Sequence, residues 1–95
     1  MSEQDRLRRA IRDLHGCESN FIRSEHVRET FEGETVWEGD VEVFALLDHP
    51  KASVAYAWAH ETDAGGKRYV AVLGLPPVKS AVDAVRASIV AGNRT

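Results

Sequence analysis

The sequence lacks several features that would identify its function at once. It contains a single cysteine, Cys17, so no disulfide can form within the chain. No apolar run approaches the length of a membrane-spanning helix, and the polar start Met1-Ser2-Glu3-Gln4-Asp5 contains no signal-peptide core. We therefore predict a cytoplasmic protein with no membrane association.

Positive charge is also limited. Twelve Lys and Arg residues face fifteen Asp and Glu residues, which gives a formal net charge of −3. A nucleic-acid-binding protein normally presents a basic face. Here the arginines cluster early, with acids between them, at Arg6, Arg8, Arg9 and Arg12. We predict no nucleic-acid partner.

Catalytic and cofactor motifs are missing as well. The serines include no G-x-S-x-G turn, and the glycines form no phosphate-binding loop. There is no C-x-x-C or H-E-x-x-H pattern of metal ligands. We predict no cofactor and favour a non-catalytic function, although the sequence leaves enzymatic activity open.

The order of apolar patterns predicts one α+β domain over residues 1–95. Apolar residues make up 43% of the chain, which is enough for a single core. Helices are predicted at 2–15 and 81–91, and strands at 19–31, 35–47, 53–61 and 67–75. The expected fold, α-β-β-β-β-α, is a two-layer sandwich: an antiparallel meander of order 1-2-3-4 with both helices on one face.

Individual patterns support these boundaries. Leu7, Ile11 and Leu14 follow helical spacing, and Gly16 ends the helix. Gly33 predicts a three-residue hairpin loop, and Asp63-Ala64-Gly65-Gly66 predicts a second turn.

Loop lengths predict the register of the strands. They place Val43 opposite Tyr56 and Ala45 opposite Val54. They also place Phe21 opposite Val43, Val27 opposite Trp37, Trp58 opposite Ala71 and Tyr56 opposite Leu73. These choices agree on a single apolar face, which both helices are expected to cover.

The opposite, outer face is predicted to be half acidic, with Glu38, Asp40 and Glu42, and half apolar. An uncovered apolar face favours a protein partner, most simply a second copy in a symmetric dimer. The predicted interface residues are Phe44, Leu46, Ala57, Val70 and Val72. The leading hypothesis is thus a non-catalytic domain that homodimerises or docks another protein through this face.

Two ends of the sheet supply the alternative hypothesis, a small-ligand-binding protein or minor enzyme. His15, Cys17 and His49 are expected at one end, where they could bind a metal or activate a thiol. A buried cysteine and a turn-forming histidine would explain the same residues. Trp37, His60 and Tyr69 are expected at the other end, either as a ligand pocket or as a cap on the core.

Overall fold

A computed structural model describes residues 2–62 and 64–92. The chain folds as α-β-β-β-β-α, and its strands form one antiparallel sheet of order β1-β2-β3-β4. The predicted α+β class and meander are therefore confirmed. The elements are α1 (Glu3–His15), β1 (Ser19–Phe31), β2 (Glu34–Leu46), β3 (Val54–Glu61), β4 (Lys67–Leu73) and α2 (Ala81–Gly92).

Helix α1 begins and ends at capping residues that the sequence makes recognisable. The Ser2 hydroxyl accepts a hydrogen bond from the Asp5 amide, and the Asp5 carboxylate accepts one from the Ser2 amide. Gly16 ends the helix with φ of 71°, a conformation that glycine adopts without strain. Leu7 and Ile11 are buried, whereas Leu14 is exposed, so the apolar stripe is shorter than predicted.

The β1–β2 hairpin closes with a tighter turn than predicted. Phe31 pairs with Glu34, which leaves the two-residue loop Glu32-Gly33. Both loop residues have positive φ, 51° and 82°. Such a turn matches the natural twist of two antiparallel strands, whereas the predicted three-residue loop would have shifted the register.

Two irregularities then change the β1–β2 register between them. Val36 is an extra residue in β2, and Ile22 is an extra residue in β1 that cancels it. The tighter turn alone therefore pairs Phe21 with Phe44 instead of Val43, whereas the turn and the bulge at Val36 together pair Val27 with Gly39 instead of Trp37. Both predicted β1–β2 pairs were wrong, because the loop is one residue shorter than predicted and the bulge leaves no reliable mark in the sequence.

The predicted β2–β3 register is confirmed, while the β3–β4 register was wrong by one residue. Val43 pairs with Tyr56 and Ala45 with Val54, as predicted. Trp58, however, pairs with Val70, and Tyr56 with Val72. The cause is the turn, where the Thr62 amide donates to the Gly66 carbonyl at 2.9 Å. Asp63, part of the predicted turn, lies outside the described residues.

Both faces of the sheet are apolar, and each face is covered by its own helix. Helix α2 packs on one cluster, which contains Val27, Val41, Val43, Tyr56 and Trp58. Helix α1 packs on the other, which contains Phe44, Ala55 and Ala57. The prediction that both helices share one face was therefore wrong: the architecture has three layers, helix, sheet and helix.

Side chains of complementary size meet on each face. The α1 face offers small residues such as Ala55 and Ala57, which accommodate Leu7 and Ile11. The α2 face offers the large rings of Tyr56 and Trp58, and α2 meets them with Ala81 and Ala84. Neither helix, within the described ranges, is both long and apolar enough to cross a membrane.

Candidate interaction surface

The five residues predicted as a dimer interface do not form an open surface. Phe44 and Ala57 are fully buried and Leu46 packs at the edge of the same cluster, all beneath α1. Val70 and Val72 lie on the other face and pack against the α2 cluster. Helix α1 therefore occupies the place that the sequence suggested for a partner.

The predicted ligand-binding residues are also separated. The Trp37 ring packs edge-on against Trp58 at 5.7 Å between centroids, on the α2 face. Tyr69 packs against the α1 cluster on the opposite face. His60 is exposed in the ladder opposite Arg68. The three side chains do not line a common pocket.

The predicted metal or thiol residues each have a structural partner. His15 Nε2 lies 2.9 Å from the Ala71 carbonyl oxygen, to which it donates. Cys17 is buried with Leu7 and Ile11. His49 Nδ1 accepts hydrogen bonds from the amides of Lys51 and Ala52 and so organises the turn. Across residues 2–62 and 64–92, no group of three or more His, Cys, Asp or Glu side chains is arranged to hold a metal ion.

The most distinctive surface is instead the edge strand β1. It runs for 13 residues at the margin of the sheet. The β1–β2 ladder continues well beyond Glu42, where the pairing of β2 with β3 stops. The strand exposes large apolar side chains at its two ends, Phe21 and Ile22 at one and Phe31 at the other. An exposed edge of this length offers backbone groups to another strand.

The opposite edge, strand β4, is shorter and partly closed. It spans 7 residues, and His15 bonds its Ala71 carbonyl. Lys67 at its start forms an ion pair with Glu3 of α1, with Nζ 3.8 Å from the carboxylate. On β1, Arg8 donates to the Ser19 carbonyl, but no described side chain bonds the backbone from Asn20 to Phe31. The two edges of the sheet are thus unequal.

The centre of β1 carries a polar ladder on the α1 side of the sheet, in a part of that face that α1 leaves exposed. Ser24, His26 and Arg28 stand opposite Glu42, Asp40 and Glu38. His26 Nδ1 lies 2.9 Å from Asp40 and its Nε2 lies 3.0 Å from Glu38. Only a protonated ring can donate from both nitrogens, so the hydrogen bonds to Asp40 and then Glu38 raise the pKa of His26.

The α2 side of the hairpin carries an apolar groove of about 680 Å³. Its walls are Phe31 and Val36 of the hairpin and Ile89 and Val90 of α2. At its inner end the nearly buried Glu29 accepts a hydrogen bond from the Arg86 guanidinium. This ion pair joins α2 to β1.

The edge of β1 was not among the binding surfaces predicted from the sequence. The signal was available in the positions of Phe21, Ile22 and Phe31, which are apolar residues at the ends of an otherwise charged strand. Comparison with family models, with curated proteins and with solved structures gives no match to this chain. The function must therefore be argued from the geometry.

Proposed function

We propose that this chain is a non-catalytic domain that forms a homodimer, in which the edge strand β1 of one copy pairs antiparallel with β1 of a second copy. The observation that carries the proposal is the uncovered, 13-residue edge strand with exposed apolar side chains at both ends. Strand addition of this kind satisfies backbone groups of both edges at once.

The distribution of apolar residues along β1 favours a second copy as the partner. In an antiparallel pair the start of one strand meets the end of the other. The end of β1 that carries Phe21 and Ile22 in one copy would then meet the end that carries Phe31 in its partner, and the same arrangement would repeat at the other end. A symmetric dimer therefore covers these exposed residues in both copies, because the same strand serves both.

The groove beside Phe31 supports the same arrangement. Its apolar walls continue from the end of β1 onto α2, through Val36, Ile89 and Val90. A partner strand added to β1 would cover part of these walls. The β4 edge is partly closed, since His15 binds the Ala71 carbonyl, and this favours association through β1.

Light scattering coupled to size-exclusion chromatography tests the proposal. The wild-type chain should show a dimer mass that falls toward the monomer on dilution. Phe31 is 67% exposed, and its burial in each copy should contribute about 1–2 kcal/mol. Phe31→Glu should therefore weaken the dimer about 30-fold or more, because two copies are affected.

Leu14→Glu is the matched control. Leu14 is 59% exposed on α1, and the residue after it, His15, binds the β4 edge instead of β1. The same apolar-to-acid change there should leave the dimer intact. A wild-type chain that stays monomeric at high micromolar concentration would overturn the proposal, and so would equal weakening by the two substitutions.

A further inference from the structure

We infer that the two β1 strands pair in one register, with the two-fold axis passing through His26. This inference rests on the proposed homodimer and specifies how its two copies meet. It follows from the charges on the regular part of β1, between the bulge at Ile22 and the register shift after Glu29.

Symmetry restricts the possible registers. The two-fold axis of an antiparallel strand pair is perpendicular to the sheet. The α1 sides of the two copies therefore lie on the same side of the joined sheet. A residue can then oppose only a residue of the other copy on the same face, because side chains alternate along the strand. The axis must therefore pass through a residue position, which opposes its own copy.

An axis through His26 uses the whole regular segment, since Arg23 and Glu29 are equally distant from it. Arg23 would oppose Glu29 of the second copy, and this opposite-charge pair would occur twice. Ser24 would oppose Arg28, and Glu25 would oppose Val27. No like-charged pair arises away from the axis.

Neighbouring registers bring like charges together or use little of the strand. An axis through Glu25 sets that carboxylate against its own copy. An axis through Val27 sets Glu25 against Glu29 twice. An axis through Ser24 pairs Arg23 with Glu25 but runs into the bulge at Ile22 one residue beyond. Opposed like charges destabilise a strand pair, so these registers are disfavoured.

The axis position itself can accommodate two imidazole rings. Each His26 is bound by its own Asp40 and Glu38, at 2.9 and 3.0 Å. These carboxylates neutralise the positive charge that would otherwise make two protonated rings repel each other. The charges along β1 would oppose its pairing with unrelated strands. They permit pairing with a second copy of β1 in this one register.

Disulfide cross-linking measures the register directly. Ser24, His26 and Arg28 are exposed on one face, and the native Cys17 is buried, so each single cysteine variant has one accessible thiol. Directly opposed residues have Cα atoms about 4.5–5.5 Å apart, within disulfide reach. Four residues of offset correspond to roughly 14 Å, which is beyond that reach.

Under mild oxidation His26→Cys should form a covalent dimer with itself, whereas Ser24→Cys or Arg28→Cys alone should not. An equimolar mixture of the Ser24→Cys and Arg28→Cys proteins should cross-link to each other. The wild-type chain, which carries only the buried Cys17, is the control for background oxidation.

A charge reversal gives a second, independent measure. Arg23→Glu sets an acid against Glu29 at two symmetric positions and should weaken the dimer at least tenfold. Arg28→Glu makes the same charge change opposite Ser24 and should weaken it much less. A dimer in light scattering that cross-links through Ser24→Cys or Arg28→Cys alone would overturn the register but leave the homodimer standing. A monomeric wild-type chain would overturn both.

Discussion

Truncation of Ile11 tests whether α1 is a true layer of the core on its own face of the sheet. Ile11 has 0% exposure and packs among Leu7, Phe44 and Ala57. Ile11→Ala removes three carbon atoms, each worth about 0.8 kcal/mol in transfer from water. The cavity left behind adds to this loss, so the free energy of unfolding should fall by about 3–4 kcal/mol.

Urea denaturation followed by tryptophan fluorescence measures this change, with Leu14→Ala as the control. Leu14 lies on the same helix but is 59% exposed, so its truncation should cost less than about 1 kcal/mol. A small domain has a total stability of about 5–15 kcal/mol, so the difference should be easily resolved. Equal and small losses for the two variants would refute the burial of the sheet beneath α1.

Two further predictions concern a close backbone approach and a surface histidine. Gly74→Ala should destabilise the fold by about 1–3 kcal/mol in the same denaturation assay. A Cβ at this position would come within 2.6 Å of Val54 Cγ2. The control is Gly66→Ala, where the nearest atom to an added Cβ is 3.6 Å away, and it should change the free energy of unfolding less. His26 has a pKa raised by Asp40 and Glu38, so its stabilisation should be fully present below its unfolded pKa of about 6.5 and be lost as pH rises through the folded value. Unfolding midpoints measured across this pH range should show that loss in the wild-type chain and a flatter profile in His26→Gln; parallel profiles would contradict the assignment.

The sequence predicted those features that are set by neighbouring residues. The helix stop at Gly16 and the turn at Gly33 act over a few positions, and each left a recognisable pattern. Alternation of apolar residues then placed every strand within about two residues of its observed bounds. The element order and the strand order follow from these local signals.

The distribution of the helices over the sheet could not be predicted in the same way. The single-residue shift at the Thr62–Gly66 turn moves Tyr69 to the α1 side and Val70 to the α2 side, yet the outer face is apolar in either register, so alternation alone does not assign a helix to it. Strand β3 carried a further signal, since Val54 to Trp58 is continuously apolar. A strand covered on both faces has that character, and the apolar outer face was the place for α1 instead of a partner.

The candidate surface was difficult to predict for a related reason. The polar ladder around His26 and the exposed ends of β1 depend on the bulges at Ile22 and Val36, which set the facing residues. The predicted sites at the sheet ends failed to assemble because their members have structural partners: His15 bonds the Ala71 carbonyl, and His49 organises a turn. Residue type alone does not distinguish these roles from ligand binding.

The bulge at Ile22 also has a consequence for how the molecule unfolds. Before it, Phe21 packs edge-on against Phe44 in the α1 cluster; after it, Val27 belongs to the α2 cluster. One continuous strand therefore anchors two cores that lie on opposite sides of the sheet. Loss of either core would release the backbone that holds the other, so we expect a single cooperative melting transition, in which neither helix layer survives without its counterpart.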